Sequence, residues 1–244
     1  SIYALGAIGL SLIFGVLRFA HFAHGELMTL GAYTALTVKG LTGWPILVVL
    51  PIPMALTAFV GVAIDRWFYR PFRASPTIVV VIASFGMALM VRSLVQLFWG
   101  VKISSYSPGR IEKPWIIFDA LRIQPKHIAI VLGALVLMAG VHWLLKYTRT
   151  GKAMRAMSDS PELARLTGID TESVVRVTWL AGAGLAAAAG VFLGMDTQLN
   201  TNMGFFVLLP VFAAAILGGI GRPYGAMVGG MVIGLAEELS TYPW

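Results

Sequence analysis

The sequence predicts an all-α integral membrane protein, and three observations carry that prediction. Hydrophobic residues make up 58% of the chain and charged residues 12%, with a mean hydropathy of +0.82; a soluble domain carries roughly a quarter charged residues. The apolar residues form about eight continuous runs, which point to helices because a membrane barrel would show weak two-residue alternation instead. The longest polar connector is about thirty residues, too short for a soluble domain, so residues 1–244 read as one transmembrane domain.

The runs cover 2–17, 27–38, 46–64, 77–98, 127–145, 174–193, 205–217 and 226–236. At 1.5 Å per residue a hydrocarbon core of about 30 Å is crossed comfortably by four of them, 46–64, 77–98, 127–145 and 174–193. The run 2–17 is slightly short. The runs 27–38, 205–217 and 226–236 are shorter still, which predicts broken or re-entrant helices, tolerated only where protein or a water-filled cavity surrounds the interrupted backbone. Small residues recur every fourth position at Gly182, Ala186, Gly190 and Gly194, at Gly221, Gly225 and Gly229, and at Gly230 and Gly234. Such faces let helix backbones approach closely in lipid. Trp44, Trp67, Trp99, Trp115, Trp143 and Trp179 mostly fall near run ends, as interfacial anchors do.

The loops set an orientation. Residues 65–76 carry Arg66, Arg70 and Arg73, and residues 146–176 carry Lys146, Arg149, Lys152, Arg155, Arg165 and Arg176. Lys and Arg beside spans are retained on the inner side, so both loops are expected to be cytoplasmic and the connector 100–126 to face outward. Lys102, Arg110, Lys113, Arg122 and Lys126 weaken the contrast, but the parity of the intervening spans agrees with it. The membrane accounts for the net charge of +7, and few aromatics interleave with the basic residues to stack on bases, so nucleic acid is not an expected partner. The absence of cysteine excludes disulfides, thiolate metal sites and cysteine nucleophiles. The first residues are already apolar, there is no initiator Met, and the chain is expected to be trimmed at one or both ends.

Two polar stretches stand out. Within the loop 147–172, Ser160 is placed to cap a short helix, Pro161 suits its first position, Glu162 its first turn, and Gly168 its end. The helix body, 163–167, is too short to be stable in water alone, so packing against something is expected to order it. The second stretch is 18–26, RFAHFAHGE. His21 and His24 are three apart and share a helix face, and with Glu26 they could hold a metal or relay protons. Glu26 lacks the spacing that completes a ligand set, and the ionisable groups cluster at one level rather than along the depth of the membrane. The expected role is structural, polar side chains and Gly25 satisfying backbone groups freed where a helix breaks. Arg92, inside the run 77–98, is expected to snorkel to the interface rather than to meet an acidic substrate. The stretch LGGIGRPYG at 217–225 lacks the ending of a phosphate loop, and no nucleophile elbow or H-E-x-x-H pair is present. No catalytic residue, metal or cofactor is therefore assigned to the chain.

Four stretches resemble one family: SIYALGAIGLSLIFGVLRFAHFAHGELMTLGAY (1–33), YRPFR (69–73), TRTGKAMRAMSDSPELARLTGID (148–170) and FAAAILGGIGRPYGAMVGGMVIGLAE (212–237). They are similar to the membrane permeases of bacterial ABC importers for branched-chain amino acids, the Liv type. The loop also matches the importer pattern E-A-A-x-x-x-G through Glu162, Ala164 and Gly168, with Leu163 at the second position. The resemblance implies an ABC-importer permease fold in the bacterial inner membrane, with further residues before Ser1 and a further span after Trp244. It implies a second homologous permease subunit, two cytoplasmic ATPases that hold ATP and Mg, and a periplasmic substrate-binding protein. It makes Ser160, Pro161, Glu162, Ala164, Arg165 and Gly168 the element that docks into the ATPase. A translocation path is then expected between the two breaks, near His21, His24, Gly25, Glu26, Gly218, Gly219 and Gly221. Related permeases carry urea, short amides and aromatic acids, so the substrate is a branched-chain amino acid or a related small molecule. The rival is a stand-alone secondary transporter or channel with a His21, His24 and Glu26 relay, which leaves the helix at 160–168 without a purpose.

Overall fold

The computed structural model describes residues 1–106, 115–117 and 121–241. Its helices are α1 (Ile2–Leu17), α2 (His24–Thr42), α3 (Ile46–Val49), α4 (Pro51–Ile64), α5 (Thr77–Trp99), α6 (Pro125–Tyr147), α7 (Arg149–Asp159), α8 (Pro161–Leu166), α9 (Thr171–Asp196), α10 (Met203–Leu217) and α11 (Pro223–Thr241). Helix α4 runs on through a π turn, Asp65–Tyr69, and a 3-10 turn, Arg70–Phe72. The connector between α5 and α6 holds a two-stranded antiparallel hairpin, β1 (Trp115–Ile117) with β2 (Leu121–Ile123), Ile116 opposite Arg122. No apolar periodicity marked these three-residue strands in the sequence.

Among the described residues four stretches are long and apolar enough to cross a membrane: Ile46–Phe72, Thr77–Trp99, Pro125–Tyr147 and Thr171–Asp196. They are the four that hydropathy selects. Two of the runs taken as too short are corrected. Both 27–38 and 226–236 lie inside helices of 19 residues, α2 and α11. Hydropathy truncates them because their ends are polar: α2 begins at His24 and Glu26 and continues through Lys39, and α11 continues through Glu237 and Glu238. In α2 both charged groups find partners inside the protein, Glu26 Oε1 in Arg92 and Lys39 in the Tyr106 carbonyl, so the helix need not stop where the apolar residues do. Helices α1 and α10 are short, 16 and 15 residues. The first break follows α1, where Arg18 takes the left-handed conformation (φ 59°) and its N–H closes on the Phe14 carbonyl at 2.8 Å. The second is the turn 218–222 between α10 and α11.

Helix α9 is the centre of the bundle. Within its most apolar stretch 83% of the residues are buried, against 28–33% for the other three long spans. Its small residues explain the difference. A Cβ on Gly190 would lie 1.9 Å from the Met28 carbonyl oxygen, and one on Gly31 would lie 2.4 Å from Ala187 Cα, so α2 and α9 touch backbone to backbone. Helices α1, α2, α4, α6 and α7 pack around α9, and the buried core runs through residues such as Leu5, Ile13, Leu27, Phe192 and Val211.

Side-chain ties sort the loops into two ends. At one end Arg73 pairs with Asp65 and donates to Glu172 at 2.8 Å, while Arg18 donates to the Ser158 carbonyl at 2.5 Å. This end gathers 65–76, 146–170 and the α10–α11 turn, together with most of the Arg and Lys. At the other end Lys126 donates to the Asp196 carbonyl at 2.9 Å, Trp99 Nε1 donates to Thr37 at 2.7 Å, and Ser104 pairs with Leu199. The connector 100–126 thus starts and finishes opposite the two basic loops.

Candidate functional site

At the basic end the chain builds a short helix with one face bare. Helix α7 anchors the approach: the Thr148 hydroxyl caps it by accepting from Gly151 N at 2.9 Å, and Gly151, Met154 and Met157 are buried against the bundle. Ser160 then caps α8, its hydroxyl facing Leu163 N at 3.4 Å, with Pro161 first and Glu162 in the first turn. Gly168 (φ 80°) closes the helix. Its N–H reaches the Arg165 carbonyl and the Ile169 N–H reaches the Ala164 carbonyl, both at 3.1 Å, the two-bond closure that a left-handed residue makes possible. Of the helix residues only Ala164 is buried, whereas Leu163 is 62% and Leu166 84% exposed. Beyond the turn, Asp170 caps α9 by accepting from Glu172 N at 3.1 Å and Ser173 N at 3.2 Å. The Ser173 hydrogen bonds hold its carboxyl below the usual carboxylate range. A six-residue helix with two bare leucines is therefore held between two capped helices and fixed to the body at Ala164.

The second polar region is buried. His21 Nε2 lies 3.1 Å from the Tyr69 hydroxyl, its ring edge-on to Trp179 at 4.9 Å, and Tyr69 stacks on Trp179 at 5.6 Å. His24 Nε2 lies 3.0 Å from the Gly6 carbonyl. A carbonyl only accepts, so His24 carries its proton on Nε2. The two imidazoles are 6.1 Å apart, the Nδ1 of each has no hydrogen-bond partner, and no hydrogen bond links either ring to Glu26. A His21, His24 and Glu26 relay has no connected proton path here. Among the described residues no group of three His, Asp or Glu side chains gathers for a metal. The break 18–23 is satisfied from outside itself: Phe22 N donates to the Ser84 hydroxyl at 3.1 Å, and Ser84 donates to the Val81 carbonyl at 2.7 Å.

Arg92 corrects the sequence reading. It does not snorkel. Its Nε donates to Glu26 Oε1 at 3.0 Å, its Nη2 reaches the same oxygen, and its guanidinium sits 4.7 Å over the Phe205 ring. Glu26 supplies the reason, because its side chain is 2% exposed and an Arg92 turned to the interface would leave that carboxylate alone in low dielectric. A cation deep in an apolar run demands a partner, and Glu26 was the acid available. Tyr69, Ser84 and Trp179 had no comparable signal.

The expected path residues are distributed unevenly. Gly25 is filled by a helix crossing, since a Cβ there would lie 2.3 Å from the Gly204 carbonyl oxygen, while Gly204 N donates to Thr29 Oγ1 at 3.0 Å. Gly218 packs against the Gly225 backbone, and Gly219 (φ 93°) and Gly221 (φ 80°) make the turn. Gly221, Gly15, Arg18, Ser158 and Arg222 line a cleft of about 600 Å³ at the basic end. Arg18 and Gly221, one from each break, meet there. His21, His24 and Gly25 are sealed in this conformation.

Residues 1–243 match the family model described as "Branched-chain amino acid transport system / permease component". The chain is 33% identical over 255 residues to the high-affinity branched-chain amino acid transport system permease protein LivH of Escherichia coli K12, covering 99% of this chain and 82% of that protein. It is 32% identical over 253 residues to BraD of Pseudomonas aeruginosa, with the same coverage. A probable branched-chain amino acid transport permease LivH of Methanocaldococcus jannaschii is 28% identical, over 99% of this chain and 78% of that protein. No solved structure matches the chain.

Proposed function

Because the chain belongs to the permease-component family of branched-chain amino acid transport systems, we propose that it is one membrane subunit of an ATP-driven importer for branched-chain amino acids or a closely related amino acid or amide. It pairs with a second homologous permease and with two cytoplasmic ATPases, and it receives substrate from a periplasmic binding protein at the end where 100–126 lies. The observation that carries this reading is α8, a capped helix at the basic end whose Leu163 and Leu166 are bare while Ala164 ties it to the bundle. On this reading the basic end is cytoplasmic. The two leucines, with Glu162 and Arg165 beside them, fill a cleft on the ATPase, and the rigid caps at Ser160, Gly168 and Asp170 transmit the ATPase's movement into α7 and α9. ATP acts by binding one conformation of the assembly better than the other, the only way a ligand can drive such a switch.

The test is reconstitution with the companion permease, ATPases and binding protein in proteoliposomes. ATP-dependent uptake of radiolabelled leucine is expected from the native chain. Leu163→Glu/Leu166→Glu should leave insertion and permease pairing intact while the ATPases no longer co-purify and uptake ceases. Uptake that persists with this double variant would remove α8 from the mechanism.

A further inference from the structure

We propose that the Arg92–Glu26 pair lies in the substrate path, on the face of α5 turned toward the start of α10, and is where the charged head group of a zwitterionic amino acid passes the hydrophobic core. This rests on the amino-acid importer reading and deepens it. Arg92 lies seven residues from Trp99 and fifteen from Thr77, about 10 Å and 22 Å along a helix, so the pair sits well inside the membrane. Its guanidinium is not sealed: the side chain is 19% exposed. It stands on a face of α5 with Leu89 one turn away, 49% exposed, and Gln96 one turn the other way, facing Phe205 and Thr201 at the start of α10. An ionised group exposed at this depth cannot border lipid, so protein or water covers this face in the assembled transporter.

The pair is also chemically incomplete. Glu26 Oε1 accepts from both Nε and Nη2 of Arg92, whereas the buried Oε2 has no hydrogen-bond partner. Such an oxygen is costly to leave unsatisfied. An amino acid has the matching charges on one carbon: its carboxylate fits the outer edge of the guanidinium and its ammonium fits Oε2. Arg92 and Glu26 can therefore open, hold both ends of the zwitterion, and close behind it with no change in net charge, replacing the water that the head group loses. The apolar side chain meanwhile needs only the wall provided by Leu89 and Phe205.

Two arms test this in the reconstituted complex. The chain has no native cysteine, so Leu89→Cys can be probed with a cationic, membrane-impermeant methanethiosulfonate in nucleotide-free and ATP–vanadate-trapped states. Thiols react as thiolates, which form only in water. Labelling of Leu89→Cys in at least one state, with Val136→Cys on the apolar face of α6 silent, is expected; absence of labelling in both states would overturn the aqueous face. The second arm replaces both charges, Glu26→Met/Arg92→Met, which removes a buried pair without orphaning either partner. Leucine flux should fall at least tenfold while yield, ATPase docking and basal ATP hydrolysis persist. Normal flux would make the pair structural and sink the proposal. Should the double variant not assemble, Arg92→Lys decides: it keeps the pair's charge but loses the fork, and full flux would again overturn the role. If the native complex shows no ATP-driven leucine uptake, the importer reading itself fails, and the labelling arm still reports whether this face of α5 is wet.

Discussion

Helices α5 and α9 are both long, apolar and single-pass, yet they occupy opposite situations. Helix α9 is rich in Gly and Ala through the half of its length from Gly182 to Gly194, and is enclosed by five neighbours. Helix α5 presents Ile82, Phe85, Leu89, Leu94, Leu97 and Phe98 outward and buries mainly Val80, Ser84, Met87, Val91 and Val95. In lipid, apolarity alone does not bring helices together; close backbone approach does. Small side chains thus make α9 the axis, while the large ones on α5 face outward from the bundle. The single charge on α5 is tolerated because α2 provides Glu26.

The sharpest way to break this contrast is to unbalance the one charged contact on α5. Arg92→Ala leaves Glu26 buried without a partner and is expected to destabilise by about 3–5 kcal/mol, read as a drop in thermal unfolding temperature in detergent or nanodiscs. Glu26→Gln in the same background should recover much of that loss, and failure to recover it would show that packing over Phe205, not charge, was at stake. On α9, Gly190→Val drives a side chain into the Met28 carbonyl, and the overpacking should cost about 1–3 kcal/mol or more, seen as reduced folded yield. Gly86→Val on α5, where a Cβ meets nothing within 4 Å, should be nearly silent. Equal effects at Gly190 and Gly86 would refute the distinction between axis and periphery.

Smaller effects belong to the loop. Gly168→Val forces a β-branched residue into φ 80°, a local cost of order 1 kcal/mol or more, and ATP-driven transport is expected to fail while insertion survives. The smallest concerns pH. The Asp170 carboxyl is held below its ordinary value, so its cap on α9 is fully present above the unfolded value near 4 and is lost as pH falls through the lower folded value. Protease protection of the loop should therefore persist at neutral pH and weaken only in strong acid. Asp170→Ala should show the acid-like sensitivity at neutral pH, and an unchanged digestion pattern would separate the cap from loop order.

Much of this was legible without coordinates. Ser160, Pro161 and Gly168 act through their own backbone neighbours, so local chemistry suffices to mark both ends of α8. The four long spans were legible for the same reason, because a continuous apolar run needs no partner to be helical in a bilayer. The small-residue spacing on α9 announced close packing, though not which helices would come. The full lengths of α2 and α11 are not legible in hydropathy because polar residues continue both helices, and in α2 a partner elsewhere in the chain is what makes that permissible.

By itself the sequence determined what the backbone must do locally: cross the membrane in helices, break after Leu17 and after Leu217, and cap a short helix in a basic loop. Tertiary structure decided where the polar groups find satisfaction. Glu26 and Arg92 are 66 residues apart, and His21 and Tyr69 are 48 apart. In a low-dielectric interior each of these groups depends on a specific distant partner, and sequence spacing carries no record of which one the packing of α2, α4, α5 and α9 brings within reach.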